Sequence, residues 1–153
     1  RRLRAGATYC SGCNSVFQGL LADVAKRAGW YLFKACYLSP SVLLSLNIRL
    51  QDKPHKTREE FDMNIHQAAP IYGCRPINFI HDQLLAEAPE TRGDAAANVT
   101  GLLMDRAGEE ILPDVPVKCE PILARRWSKR AGKVKDKEGK LLAWELDVLR
   151  KPC

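Results

Sequence analysis

The stretch INFIHDQLLAEAP, residues 77–89, sets His81 and Asp82 side by side in the middle of apolar residues. Taking a bare carboxylate out of water costs several kcal/mol unless a cation or hydrogen-bond donors meet it. Two uses fit an acid at this place. Asp82 can be a turn residue, because aspartate favours turns. Alternatively, carried at the tip of a stiff hairpin, it can stand open to a hard divalent cation such as Mg²⁺. Such an ion wants oxygen ligands and offsets the cost of the charge.

The residues around the pair predict the hairpin itself. Ile77 and Phe79 before it, and Leu84, Ala86 and Ala88 after it, alternate as a half-buried antiparallel ladder does. Pro76 and Pro89 bracket the unit, and the turn falls near His81-Asp82-Gln83. Helices must support this hairpin. Over residues 14–37, Phe17, Leu20, Leu21, Val24, Ala28, Tyr31, Leu32 and Ala35 recur at helical spacing, with Asn14 or Ser15 fit to cap the start, though an earlier start is open. Residues 94–107 read as a second helix, with Asp94 as N-cap and Gly108 as the stop. Residues 115–123, VPVKCEPIL, alternate as a strand that Pro116 and Pro121 would confine to an edge. The order is helix, variable segment, hairpin, helix, strand. It predicts an α+β fold, an antiparallel sheet with helices packed on one face, in one domain over residues 1–153. Residues 38–74 are the least legible part. His55 and His66 fall there, read as surface or capping groups. Residues 124–153 form a basic C-terminal segment.

Length and charge narrow the function classes. The chain has 153 residues, 46% hydrophobic and 27% charged, with a formal net charge of +6. That suits one soluble domain whose excess positive charge favours a polyanion. The surplus is concentrated in Arg125, Arg126, Lys129, Arg130, Lys133, Lys135, Lys137 and Lys140. This run is either a solvated surface or a phosphate-contacting patch. No apolar run is long enough to span a membrane and no signal peptide is visible, so the expected location is cytoplasmic and not secreted. Cys10 and Cys13 form a lone CxxC without two further ligands nearby, so the six cysteines read as reduced, partly buried thiols. The opening RRLRAGATYC, without an initiating Met, suggests a fragment, a processed chain or one piece of a split protein.

Several blocks together carry a resemblance. FIHDQLLAEAPE resembles motif C of the family A, polymerase I-like DNA polymerases: two hydrophobic residues, then His-Asp-Glu, then an apolar strand, often with Glu-Ala-Pro. NSVFQGLLADVAK is similar to that family's N-x-P-x-Q-G-x-A-A-D helix. VPVKCEP stands where the family's third palm strand follows a helix, and RRWSK is similar to a segment near the C-terminus of some phage-type members. The blocks keep the family's order and cover most of residues 5–130.

The resemblance implies a palm-type sheet with the hairpin at its centre. It implies that Asp82 is the catalytic, metal-binding acid, one of two carboxylates that hold a pair of Mg²⁺ ions for in-line nucleotidyl transfer. His81 matches the family histidine that touches the primer end. Gln18 and Asn14 match polar residues that approach the duplex minor groove. Every base pair shows acceptors there, so a donor can test pair geometry without reading sequence. Arg125, Arg126, Lys129 and Arg130 are candidate phosphate contacts. The implied partners are primer–template DNA and a deoxynucleoside triphosphate, in a bacterial or phage-infected cell and away from membranes.

Departures from the pattern shape that expectation. Gln83 stands where the family has Glu and keeps the hydrogen-bonding shape without the charge. Cys10 replaces an Arg that faces the duplex. The segment 38–74 is longer than in bacterial members and reads as an insertion. The D-Y-S-x-x-E motif with the second catalytic acid is absent, as is the nucleotide-binding helix. The expectation is therefore the C-terminal part of the palm, as a fragment or as the smaller chain of a split DNA polymerase. It would be inactive without the N-terminal part, whose carboxylate completes the two-metal site. The alternative is a non-catalytic DNA-binding module with a palm-derived fold.

Overall fold

The computed structural model describes residues 9–45 and 69–145, with side chains from residue 17 onward and without those of residues 43–45. The expectations for His55, His66, the Asn14 side chain, the Cys10–Cys13 pair, most of the 38–74 segment and the last residues of the 124–153 segment lie outside what it describes.

The chain is α+β, as its hydrophobic periodicities predict. Helix α1 (Tyr9–Tyr37) is followed by the short α2 (Pro40–Ser45) and a 3₁₀ turn at Ala69–Ile71. Strands β1 (Arg75–Ile80) and β2 (Gln83–Glu87) form the hairpin. A second 3₁₀ turn (Glu90–Arg92) leads into α3 (Gly93–Ile111), and β3 (Val134–Lys135) and β4 (Leu141–Leu142) close the described chain. Both ladders are antiparallel and two-stranded, β1 with β2 and β3 with β4.

Helix packing makes the core. Val24, Ala28, Tyr31, Leu32, Ala35 and Cys36 of α1 bury against Ala96, Val99, Leu103 and Ala107 of α3, with Ile71 and Cys74 beneath. These are the helical positions of the sequence pattern, and small alanines where the helices meet let large residues interdigitate. Truncating the fully buried Leu103 to Ala would cost about 2–5 kcal/mol. The hairpin lies on this core through Leu84, Ala86 and Ala88 of its second half.

The first strand departs from expectation. Ile77 and Phe79 are 59% and 42% exposed. Pro76 pairs with Ala86 but Asn78 pairs with Leu85, so Ile77 is the extra residue of a β-bulge. The bulge breaks the period-2 alternation and turns Ile77 away from the core.

The expected strand over residues 115–123 makes no ladder. Pro116 and Pro121 lack the N–H groups a ladder needs. The segment instead lies along α3, with Val117 against Gly108 and Pro121 against Gly101. Its period-2 pattern is satisfied by a helix in place of a sheet. Gly108 is thus not a helix stop. It sits inside α3, where a Cβ would come within 2.5 Å of the Val117 Cβ, so only glycine admits the segment.

Asp94 does not cap the helix. Arg92 is the N-cap and makes no side-chain cap bond. Asp94 sits in the first turn, and its Oδ1 accepts the Leu141 N–H at 2.7 Å and an Asn98 side-chain N–H at 3.1 Å. That bond ties the C-terminal β-pair to the start of α3.

Candidate nucleic-acid interface

The hairpin reverses over two residues, since Ile80 pairs with Gln83 and only His81 and Asp82 lie between. His81 has φ 55°, the sole positive φ outside glycine among the described residues. Histidine and aspartate are among the few side chains that tolerate this region. His81, Asp82 and Gln83 are all exposed. Asp82 stands at the tip of a hairpin whose second half packs on the core through Leu84, Ala86 and Ala88. Whatever meets the tip meets an imidazole, a carboxylate and a carboxamide in succession.

Behind the tip is a group that the sequence did not single out. The Cys119 thiol is pushed up to about 11, chiefly by burial, then by a hydrogen bond and charge from Asp105, and last by the charge of Asp82. Asp105 of α3 also accepts the Cys119 backbone N–H on its Oδ1 at 2.6 Å. This bond pins the ladder-free segment to the helix. The segment therefore runs within electrostatic reach of Asp82. Residues 37 positions apart in the chain come within electrostatic reach here, which no local pattern could reveal.

Gln18 is exposed on α1, and Asn14 lies one turn before it on the same helix. Arg125 differs from the rest of the basic group. Its guanidinium bridges Glu90 at 2.7 Å and Glu145 at 2.9 Å, holding the C-terminal segment to the turn before α3. Arg126, Lys129 and Arg130 are exposed, and so are Lys133, Lys135, Lys137 and Lys140 around the β3–β4 turn. Asp136 Oδ1 shapes that turn by accepting the N–H groups of Glu138 and Lys140, both at 2.9 Å, with Gly139 at φ 86°. The result is a compact basic loop, not a disordered tail.

A polar network joins the two long helices at the other end. Tyr31 donates to Glu110, and Arg27 lies 3.8 Å from the same carboxylate. Lys34 is 6% exposed, and its ammonium sits over the rings of Trp30 and Tyr31 at 5.6 and 5.2 Å. Burial first, and then Arg27, lower its pKa to about 8, while Glu110 opposes the shift. Cys36 and Cys74 are free and buried. Burial raises both thiols, Cys36 to about 12.

Among the described residues, no three His, Cys, Asp or Glu side chains group as a metal site. At the hairpin tip Asp82 offers one open carboxylate, and a Mg²⁺ ion takes about six oxygens. The described residues thus provide at most part of such a site. No helix among them is long and apolar enough to cross a membrane.

The chain is similar to a polymerase. It is 28% identical over 69 residues to the DNA polymerase I of Aquifex aeolicus, covering 45% of this chain and 12% of that protein. The chain thus matches only about an eighth of its relative's length. No protein-family profile matches it, and no solved structure does.

Proposed function

We propose that this chain is the C-terminal portion of a template-directed DNA polymerase, carrying one carboxylate of its nucleotidyl-transfer site. The observation that supports the reading is the exposed His81-Asp82-Gln83 tip on a hairpin seated on two helices, together with the likeness to DNA polymerase I. An exposed turn acid is what a half-site needs, because it leaves the carboxylate open for the rest of the site.

Divalent metal held by Asp82 and a second carboxylate from outside this chain would supply charge stabilisation at the transferring phosphoryl group. The remaining roles belong to this chain's own side chains. His81 hydrogen-bonds the primer end, and its backbone geometry holds the ring beside the acid. Gln83 keeps a hydrogen-bonding shape without adding negative charge. Gln18 and Asn14 offer donors to minor-groove acceptors, which are shared by all base pairs. Arg126, Lys129 and Arg130 contact phosphates, whereas Arg125 is occupied by Glu90 and Glu145. Cys119, pinned by Asp105, lies within electrostatic reach of Asp82.

The test is reconstitution with a chain that bears the D-Y-S-x-x-E and nucleotide-helix motifs, followed by primer extension. The mixture extends primers, neither part alone does, and Asp82→Asn abolishes extension while leaving DNA affinity in place. Extension that survives Asp82→Asn refutes the catalytic assignment. DNA binding without extension by any such mixture favours a binding module.

A further inference from the structure

The face of α1 that points away from the core is neither polar nor plain. Trp30, Phe33 and Tyr37 are each about half exposed. The rings of Trp30 and Phe33 are parallel within 7° at a centroid distance of 5.9 Å, and Phe33 meets Tyr37 at 4.7 Å. At 1.5 Å per residue the three rings span roughly 10 Å along the helix, a reach of two to three stacked bases. Cations are interleaved with them. Lys26 is exposed one turn before Trp30, and the Lys34 ammonium lies against the Trp30 ring. Beside Trp30 opens a recess of about 390 Å³, lined by Asp23, Lys26, Arg27, Trp30 and Ile111.

We infer that this aromatic and basic face of α1 binds single-stranded nucleic acid, with bases stacked on Trp30, Phe33 and Tyr37 and phosphates drawn to Lys26. The composition selects this occupant. The core of a protein–protein interface is depleted in lysine, and here an exposed lysine, Lys26, precedes the rings while Lys34 lies beneath Trp30. Rings with interleaved cations are the pattern that tracks single strands, because every unpaired base has a free π-face and every link a negative charge. A duplex keeps those faces stacked internally and offers them to no side chain. The face lies on the opposite side of α1 from Val24, Ala28, Tyr31 and Ala35, so occupying it disturbs no core contact. It uses neither His81 nor Asp82, so the inference does not depend on the polymerase reading.

The experiment is fluorescence anisotropy of a short labelled oligothymidylate titrated with this chain, at low and moderate salt. Three variants are compared: Trp30→Ala/Phe33→Ala/Tyr37→Ala, Lys26→Glu, and Arg126→Ala/Lys129→Ala/Arg130→Ala. Circular dichroism first confirms that each keeps its helices. The half-exposed rings make folding defects small, and Lys26→Glu supplies a second probe that removes no ring. The wild type binds the oligonucleotide, quenches tryptophan emission on binding, and weakens with salt. The ring variant binds at least about fivefold more weakly, the lower bound for loss of one stacked base. Lys26→Glu weakens binding. Equal binding by the ring variant overturns the inference. So does binding lost only in the Arg126/Lys129/Arg130 variant, which would move the contact to the basic loop. Self-association abolished by the ring variant, with no oligonucleotide binding by wild type, also overturns it and makes the face a protein contact.

Discussion

Gly108→Ala tests whether residues 115–123 really lie on α3. The added Cβ would fall 2.5 Å from the Val117 Cβ and 2.8 Å from each of its methyl groups. Comfortable carbon–carbon contact is about 3.5–4.0 Å, so the neighbour must retreat by about 1 Å or more. Overpacking of this kind costs about 1–3 kcal/mol. Alanine returns up to about 1 kcal/mol through helix propensity, and less this near the helix end. The net expectation is a loss of about 1–2 kcal/mol in urea unfolding followed by circular dichroism. The partner substitution must be Val117→Gly, because Val117→Ala keeps the closest atom. In the double variant the loss is smaller than the sum of the singles by about 1 kcal/mol or more. A Gly108→Ala protein as stable as wild type, or more stable, would refute the placement of the segment. The placement of Cys119 behind Asp82 would fall with it.

Three further outcomes follow from charges. Lys34→Met raises stability at neutral pH by about 1–3 kcal/mol, the lower end allowing for lost cation–ring contact. The folded pKa of Lys34 is lowered from the ordinary 10.5 to about 8. Its penalty is therefore complete below pH 8 and fades as pH climbs towards 10.5, so the advantage of the methionine shrinks over that window. A stability difference that stays flat across mildly alkaline pH counters the buried-ammonium assignment. Arg125→Ala changes stability by about 1 kcal/mol or less, since its ion pairs with Glu90 and Glu145 are exposed, and leaves DNA affinity unchanged. Removing Arg126, Lys129 and Arg130 together weakens duplex binding and lowers the slope of log affinity against log salt by about one per lost phosphate contact. An unchanged slope takes these three out of the interface.

What the sequence made legible is what short-range periodicity encodes. Phe17 to Ala35 and Val99 to Leu103 carry the 3.6-residue repeat, so both long helices could be read. α1 extends back to Tyr9, as an early start allowed. The hairpin was legible from Pro76, Pro89 and the His81-Asp82 break. Its bulge was not, because one unpaired residue at Ile77 leaves no trace in composition. Residues 115–123 show the limit of a period-2 signal: it reports that alternate residues face something, and α3 satisfies it as well as a neighbouring strand. Gly108 read as a stop because a glycine near a helix end looks the same whether it ends the helix or admits another chain. The exposed tip residues could be named in advance. Asp105, Cys119, Glu110 and Lys34 could not, since their significance arises only from partners far along the chain.

The φ of 55° at His81 carries a last implication. A reversal needing only to join two strands would be more relaxed with glycine, and any Cβ there raises the energy of the bend by about 1 kcal/mol. Replacing His81 with glycine should therefore yield a sturdier protein with a blunter tip. The imidazole is carried at an energetic loss, aimed outward beside an acid before anything has bound.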